Sequence, residues 1–187
     1  RIISDKINKW IGSITLAEDN SVWIGTANGL YNYFYDSNEI YRHSISNNEK
    51  EEKINTVKSR RNGNILVGTD YGLIEYTPQN KNRHDITNGN SLSDISVMGI
   101  LESNDEIIWI STQDGLVKYN PADSSFFNYS LADGLQDNQF QLNAAYKGDN
   151  GIMYFGGIGG LSFFNQNLDN NYHHDLPPIY FTELYVN

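Results

Sequence analysis

The sequence predicts an all-β chain of β-propeller blades, four antiparallel strands to a blade, and three observations predict it. A Gly-Leu pair recurs at Gly29, Gly72, Gly115 and Gly160, in steps of 43, 43 and 45 residues. Each pair follows a short apolar run: "VWIGT" from Val22, "ILVGT" from Ile65, "IWIST" from Ile108 and "MYFGG" from Met153. Turn formers separate the runs, and no stretch carries the periodicity of a long amphipathic helix. A fixed register with four strand-like runs per unit points to stacked blades. A β-helix repeats in much shorter rungs, and a sandwich has no reason to keep one period.

The elements follow in order. At the start, "RII" (1–3) reads as the tail of an upstream blade, so the chain is expected to be a fragment of a larger propeller. It holds about four blades over residues 1–168, the first and last incomplete; the alternative is a four-bladed ring closed by residues 1–7. The second unit supplies strands near 54–60, 64–68, 72–76 and 82–86, and the third near 95–102, 107–111, 115–119 and 125–130. Alternation shows in "GLIEY", with Leu73 and Glu75 on one face and Ile74 and Tyr76 on the other. The separators "DNS" (19–21), "NGN" (62–64), "SND" (103–105) and "DNG" (149–151) suit tight primed turns, whose residues need positive φ.

A four-stranded sheet cannot bury both faces alone. Trp23, Trp109 and Tyr154, with Leu66 at the equivalent place in the second unit, are expected to fill the wedges between blades. Gly25, Gly68 and Gly156 would let the adjacent sheet approach, and the two departures, Leu66 in the second unit and Ser111 in the third, are each expected to cost packing at that one blade. His43 and His84 lie about one period apart and read as equivalent rim histidines of consecutive blades.

Composition narrows the function. The formal net charge is -10, with 13 Lys plus Arg against 23 Asp plus Glu, so a phosphate-backbone binder is not expected. The nearest basic cluster is Lys58, Arg60 and Arg61, read as solvated residues beside a turn. The 25 asparagines, 16 glycines and 13 tyrosines suit many turns between aromatic-bearing strands. With no cysteine there is no disulfide framework, which fits a reducing compartment or a bacterial exported protein equally. No apolar run is long enough to span a bilayer, so this segment is not expected to contact the membrane.

The residues also carry a family resemblance. "ITLAEDNSVWIGTANGLYNYF" and "GILESNDEIIWISTQDGLVKYNP" resemble the two-component regulator propeller repeat of extracytoplasmic sensor regions in bacterial hybrid histidine kinases. "DGLQDNQFQLNAAYKGDNGIMYFGGIGGLSFFN" (133–165) looks like the last repeat of such a propeller. "LPPIYFTELYVN" looks like the first strand of the immunoglobulin-like Y_Y_Y domain that follows, making 169–187 linker and strand. The resemblance implies a periplasmic, inner-membrane-anchored protein that senses oligosaccharides and relays the signal to a kinase elsewhere in the protein. Its partners would be an oligosaccharide, the rest of the sensor ectodomain and a second copy of the full-length protein.

Binding residues belong on loops that depart from the repeat: 47–53, 131–143 and 165–175. Sugar recognition calls for an aromatic face and planar amides, which Gln139, Phe140, Gln141 and Asn143 supply. The same residues also match the terminal repeat in general, which gives them a structural reading. His173 and His174 would point to opposite sides of an extended segment and make a poor chelating pair. The carboxylates Asp19, Glu51, Glu52, Glu102, Asp105 and Asp137 lie in or beside turns with nothing to pair them. No nucleophile elbow, HExxH or phosphate loop is present in the sequence. The chain is therefore read as a non-catalytic sensing segment with no cofactor or metal. The alternatives are a polysaccharide-acting propeller lyase or glycosidase, or a protein-interaction propeller.

Overall fold

Runs rich in β-branched and aromatic residues, cut at regular intervals by Asn, Asp and Gly, form strands in the computed structural model, which describes residues 7, 10–45, 53–87 and 94–166. The chain divides into two compact units, Arg1–Val97 and Met98–Asn187. In the first unit, β1 (Ile11–Leu16), β2 (Val22–Thr26), β3 (Gly29–Phe34) and β4 (Glu39–His43) form one antiparallel meander. β5 (Ile54–Ser59), β6 (Ile65–Thr69), β7 (Gly72–Thr77) and β8 (Asn82–Asp85) form a second. The second unit holds β9 (Val97–Glu102), β10 (Ile108–Thr112), β11 (Leu116–Asn120) and β12 (Ser125–Tyr129). Its other described sheet is β13 (Phe140–Lys147), β14 (Ile152–Gly157) and β15 (Gly160–Asn165). Each sheet is a propeller blade, so the predicted fold class holds. The expectations for residues 1–6, 47–52 and 167–187 lie outside the described residues.

The first two hairpins of each blade recur in kind from blade to blade. The first departs from expectation, because it is not a primed turn. Asn20, Gly63, Glu106 and Gly151 close back on the carbonyls of Ala17, Arg60, Ser103 and Gly148. In each case the closing residue alone has positive φ, at 62°, 83°, 67° and 79°, while the two residues before it do not. One left-handed residue at the end of the turn marks the three-residue loop with a bulge. A primed turn would need positive φ at its central positions. The residue before the left-handed one is always Asp or Asn. Asp19, Asn62 and Asn150 accept the backbone N–H two residues on, at 2.9, 3.0 and 3.1 Å, and Asp105 accepts the Ser103 hydroxyl.

The second hairpin explains the threonine of "WIGT". The hydroxyls of Thr26, Thr69 and Thr112 donate to the carbonyls of Gly29, Gly72 and Gly115 at 2.9, 3.1 and 2.8 Å. Each also accepts the N–H of Asn28, Tyr71 or Asp114 inside the loop. The four glycines of the Gly-Leu pair have φ between 100° and 137°, which side chains rarely adopt. In the last blade Gly157 replaces the threonine, so the staple is missing there.

Blade-to-blade packing uses the predicted residues in the first unit. Trp23 is buried, with its ring 5.9 Å from Tyr76 of the next sheet. Any Cβ on Gly25 would lie 2.5 Å from Ile54 Cγ2, so the glycine does admit the neighbour. β1 and β5 run side by side, and β1 hydroxyls serve the edge of β5. Ser13 Oγ accepts the Val57 N–H at 3.1 Å and Thr15 Oγ1 the Ser59 N–H at 3.3 Å. Leu66 and Gly68 are buried as expected, and a Cβ on Gly68 would meet Val97 and Thr56.

In the second unit Trp109 packs against Phe164 at 4.3 Å with the rings tilted, and stacks on Tyr129 at 5.7 Å. Ser111 carries no packing penalty, contrary to expectation, because the missing glycine has moved to the strand beside it. A Cβ on Gly99 would lie 2.8 Å from Ser111 Oγ and 2.9 Å from Ala145 Cβ. Blades one and two place Ser13 and Thr56 opposite Gly25 and Gly68; blade three exchanges the two sizes. Tyr154 departs from its expected role. It is only half-buried, between Tyr146 and Phe163 of its own sheet, and the nearest atom to a Cβ on Gly156 is Ala144 of that sheet.

Two further expectations are corrected. Leu30 pairs with His43, whereas Glu75, the counterpart of Asn32, pairs with His84, so the histidines are two residues apart in register and not equivalent. His43 lies in the seam, its Nδ1 2.9 Å from the Tyr76 hydroxyl, while His84 is exposed. Arg60 is not solvated either. It is 5% exposed and its Nη1 lies 2.7 Å from Glu75 Oε1, a carboxylate that also accepts from Asn64.

Candidate ligand-binding site

Three of the four described sheets begin their first strand with a bulge. Pairing of β1 with β2 shifts between Ile11 and Ser13, that of β5 with β6 between Ile54 and Thr56, and that of β13 with β14 between Phe140 and Ala145. The extra residues are Gly12, Asn55 and residues 141–144. A bulge breaks the ladder locally and re-aims side chains, so these strand starts can present chemistry the regular ladder cannot.

The sequence-predicted candidates fall on the last of these bulges. Gln139, Gln141 and Asn143 are exposed, and Asn143 adopts a left-handed φ of 56°, which asparagine tolerates. Phe140 is a correction, because its ring is not available to a ligand. It is 3% exposed and packs in the core with Trp109, Leu135, Met153 and Phe155. Its counterpart in the second blade explains this: Phe140 pairs with Gly157 as Ile54 pairs with Thr69, and both apolar side chains are buried. The loop ahead is firmly tied. The Ser130 N–H and hydroxyl both donate to Asp133 Oδ2, the Leu131 N–H donates to Asn138 Oδ1, and the Gly115 N–H donates to the Asn138 carbonyl. The carbonyl of Gln139 accepts from the Ile158 N–H at 3.0 Å, fixing the backbone from which these amides project.

The first unit has a second polar centre at the corresponding strand starts, which sequence reasoning missed. Asn55 Nδ2 donates to Asp70 Oδ1 at 2.7 Å and lies 3.1 Å from Ser96 Oγ, whose hydroxyl donates to the same Asp70 oxygen at 3.0 Å. Lys53 Nζ lies 3.0 Å from Asp70 Oδ2. Burial pushes the Asp70 carboxyl up, but the hydrogen bonds from Asn55, Lys53 and Ser96 outweigh it and hold the group below its ordinary value. Tyr71, beside Asp70 in the β6–β7 turn, is 57% exposed, and Trp10, just ahead of β1, is 50% exposed. The Trp10 ring edge and the Ile54 carbonyl are each 2.7 Å from where a Gly12 Cβ would be, so they lie within twice that distance of each other.

A signal for this centre was present in the sequence. Counting back from Gln139 in steps of 43 residues reaches Ser96, Lys53 and Trp10. The period that located the blades also located the positions where they differ. What the spacing could not show is that Asp70, in a turn, reaches Asn55 and Ser96. Chemically the two groups of residues offer amides, one carboxylate, one ammonium and exposed rings, which is a vocabulary for hydroxyl-rich ligands.

No family model matches the chain, and no curated protein matches it. Solved structures do. The chain is similar to a structure described as the extracellular domain of a hybrid two-component system from B. thetaiotaomicron. Identity is 25% over 84% of this chain and 22% of that one, with a TM-score of 0.71. It is similar at 22% identity to the extracellular domain of a one-component system from the same organism, over 84% of this chain and 21% of that one, with a TM-score of 0.66. It also resembles virginiamycin B lyase from Staphylococcus aureus, at 16% identity over 88% of this chain and 58% of that one, with a TM-score of 0.66. The latter two likenesses show the fold alone. The chain spans roughly a fifth of each of the first two structures, and its structural neighbours include extracellular domains of bacterial signalling systems.

Proposed function

We propose that this chain is a sensing segment of the extracytoplasmic part of a bacterial two-component signalling protein, a non-catalytic set of propeller blades that recognises an oligosaccharide. The observation that carries the reading is the match, in fold and at 25% identity, to the extracellular domain of a hybrid two-component system. The exposed amides Gln139, Gln141 and Asn143, on a tied loop and a bulged strand, are the contacts proposed for the second unit. The wider proposal keeps the periplasmic setting, the inner-membrane anchor, the following immunoglobulin-like domain and a kinase elsewhere in the protein. Homodimerisation of the ectodomain is a further route by which the segment supports signalling.

The test is a thermal-shift and calorimetric screen of the full-length protein against neutral and acidic oligosaccharides. A ligand that binds only the native state raises its melting temperature. One defined oligosaccharide raising it, and recovered intact, is the expected result. Steady cleavage of that oligosaccharide would turn the reading towards an enzyme, and silence across the panel would remove carbohydrate sensing.

A further inference from the structure

We propose that the start of β1 and β5 in the first unit is a saccharide subsite, in which Lys53 and Asp70 hold two vicinal hydroxyls of a neutral sugar whose apolar face rests on the exposed ring of Trp10 or of Tyr71. The subsite lies wholly within the first unit and rests on the oligosaccharide-sensing reading above.

Comparison among blades separates scaffold from site. The hairpin staple is the same in blades one to three, with Thr26, Thr69 and Thr112 bonded to Gly29, Gly72 and Gly115. Between those anchors the scaffold accepts Ala27 or Gln113 where blade two carries Asp70; Gly12 takes the place of Asn55 at the bulge of blade one, and Met98 lies one period on in blade three. The blade does not need a carboxylate or a buried amide at these places. Asn55 is nevertheless buried, and it spends its amide on orienting Asp70 together with Ser96. Such support fixes Oδ1, while the other oxygen pairs with Lys53 in a side chain that is 40% exposed. This is the preorganisation a binding group requires.

The distances select the ligand. Lys53 Nζ and Asp70 Oδ2 lie 3.0 Å apart, close to the spacing of two adjacent gauche hydroxyl oxygens on a pyranose. One hydroxyl donates to the carboxylate while its neighbour accepts from the ammonium, so the diol engages both ions without separating them. Both side chains are substantially exposed, at 52% and 40%, so the pair is accessible. The rings supply the apolar surface on which the C–H face of a sugar rests. Gly12 is part of the design, because a Cβ there would strike the Trp10 ring. The charge of -10 on the chain disfavours uronates and sulfated sugars, which leaves neutral saccharides.

Trp10 also provides the readout, since Trp23 and Trp109 are buried. Acrylamide quenching of the full-length protein, with Trp10→Phe subtracted, isolates the Trp10 signal. The probes are maltohexaose, cellohexaose and xylohexaose, with trigalacturonate as the acidic comparison, and affinity is measured in parallel by calorimetry. The expected result is protection of Trp10 by one neutral probe and a loss of affinity of about tenfold or more in Asp70→Asn and in Tyr71→Ala. Tyr71 is exposed, so its variant folds even if the Asp70 variant is impaired. Calorimetric binding with Trp10 unprotected and both variants unchanged overturns the subsite, while weakening in Gln141→Ala would keep the functional reading. Tighter binding of trigalacturonate than of every neutral probe overturns the ligand class. No heat with any probe overturns the subsite and the functional reading together.

Discussion

At His43 a titratable ring has been placed in a seam, 4.9 Å from Trp23 and hydrogen-bonded to Tyr76 through Nδ1. Burial lowers its pKa, with Lys81 adding a smaller push in the same direction. The unfolded chain therefore binds a proton more readily than the folded one. Stability is complete above the unfolded value of 6.5 and declines as pH falls below it, until the folded form is protonated too. Urea midpoints measured from about pH 7 to about pH 5 should fall, and His43→Gln should flatten that slope. If the variant tracks the parent at each pH, the titration belongs to another group. Glu75 acts in a lower window. Burial raises its carboxyl, but hydrogen bonds from Asn64 and Arg60 outweigh this and depress it, so its contribution is present above 4.5 and lost on further acidification. Because Arg60 is buried against it, Arg60→Ala leaves a charge without its partner and should cost about 3 kcal/mol in chemical denaturation. Arg60→Met with Glu75→Leu should recover most of that loss. Sequence could not distinguish Arg60 from Lys58 and Arg61, since all three precede the same turn; its burial follows from Glu75 lying on the adjacent hairpin.

The blade, as an element, depends on positions where size is exchanged between strands. Gly99 faces Ser111 just as Ser13 faces Gly25 and Thr56 faces Gly68. Gly99→Ser should therefore destabilise by about 1–3 kcal/mol through overpacking. Combining it with Ser111→Gly should cost less than the single change, a coupling of at least about 0.5 kcal/mol in a double-mutant cycle. Simple additivity would mean the two positions do not share space. The hairpin glycines are a different case. Gly115→Ala meets both a positive φ and the Tyr129 carbonyl, so no second substitution should rescue it. These glycines were legible in the sequence because they recur with the period. The compensation at Gly99 was not, because it breaks the pattern on one strand to repair a break on another. Phe140 was misread for a related reason: its buried apolar position is shared with Ile54, a likeness visible only once the bulges align the strands.

Across the whole molecule, the period disclosed the blades, their turns and their buried seams, while surface chemistry had to be found by asking where blades differ. It also predicts which sheet faces remain uncovered. Ile14 and Leu16, on the side of β1 turned from β5, are 61% and 65% exposed, and Tyr146 beside Tyr154 is 65% exposed. Exposed apolar side chains such as these offer binding places for a hydrophobic dye, so the 187-residue chain should bind one. Ile14→Lys with Leu16→Lys should reduce that signal while moving the melting temperature by no more than about 2 °C. A large drop in melting temperature would mean that the face is covered. The hydroxyls of Ser13 and Thr15, which hold the N–H groups of Val57 and Ser59, have a consequence for synthesis on the ribosome. The chain emerges N-terminus first, so β1 exists before β5 does. Each edge donor of β5 therefore meets an acceptor already in place, and a nascent strand that would otherwise recruit a neighbouring polypeptide is occupied as soon as it can fold.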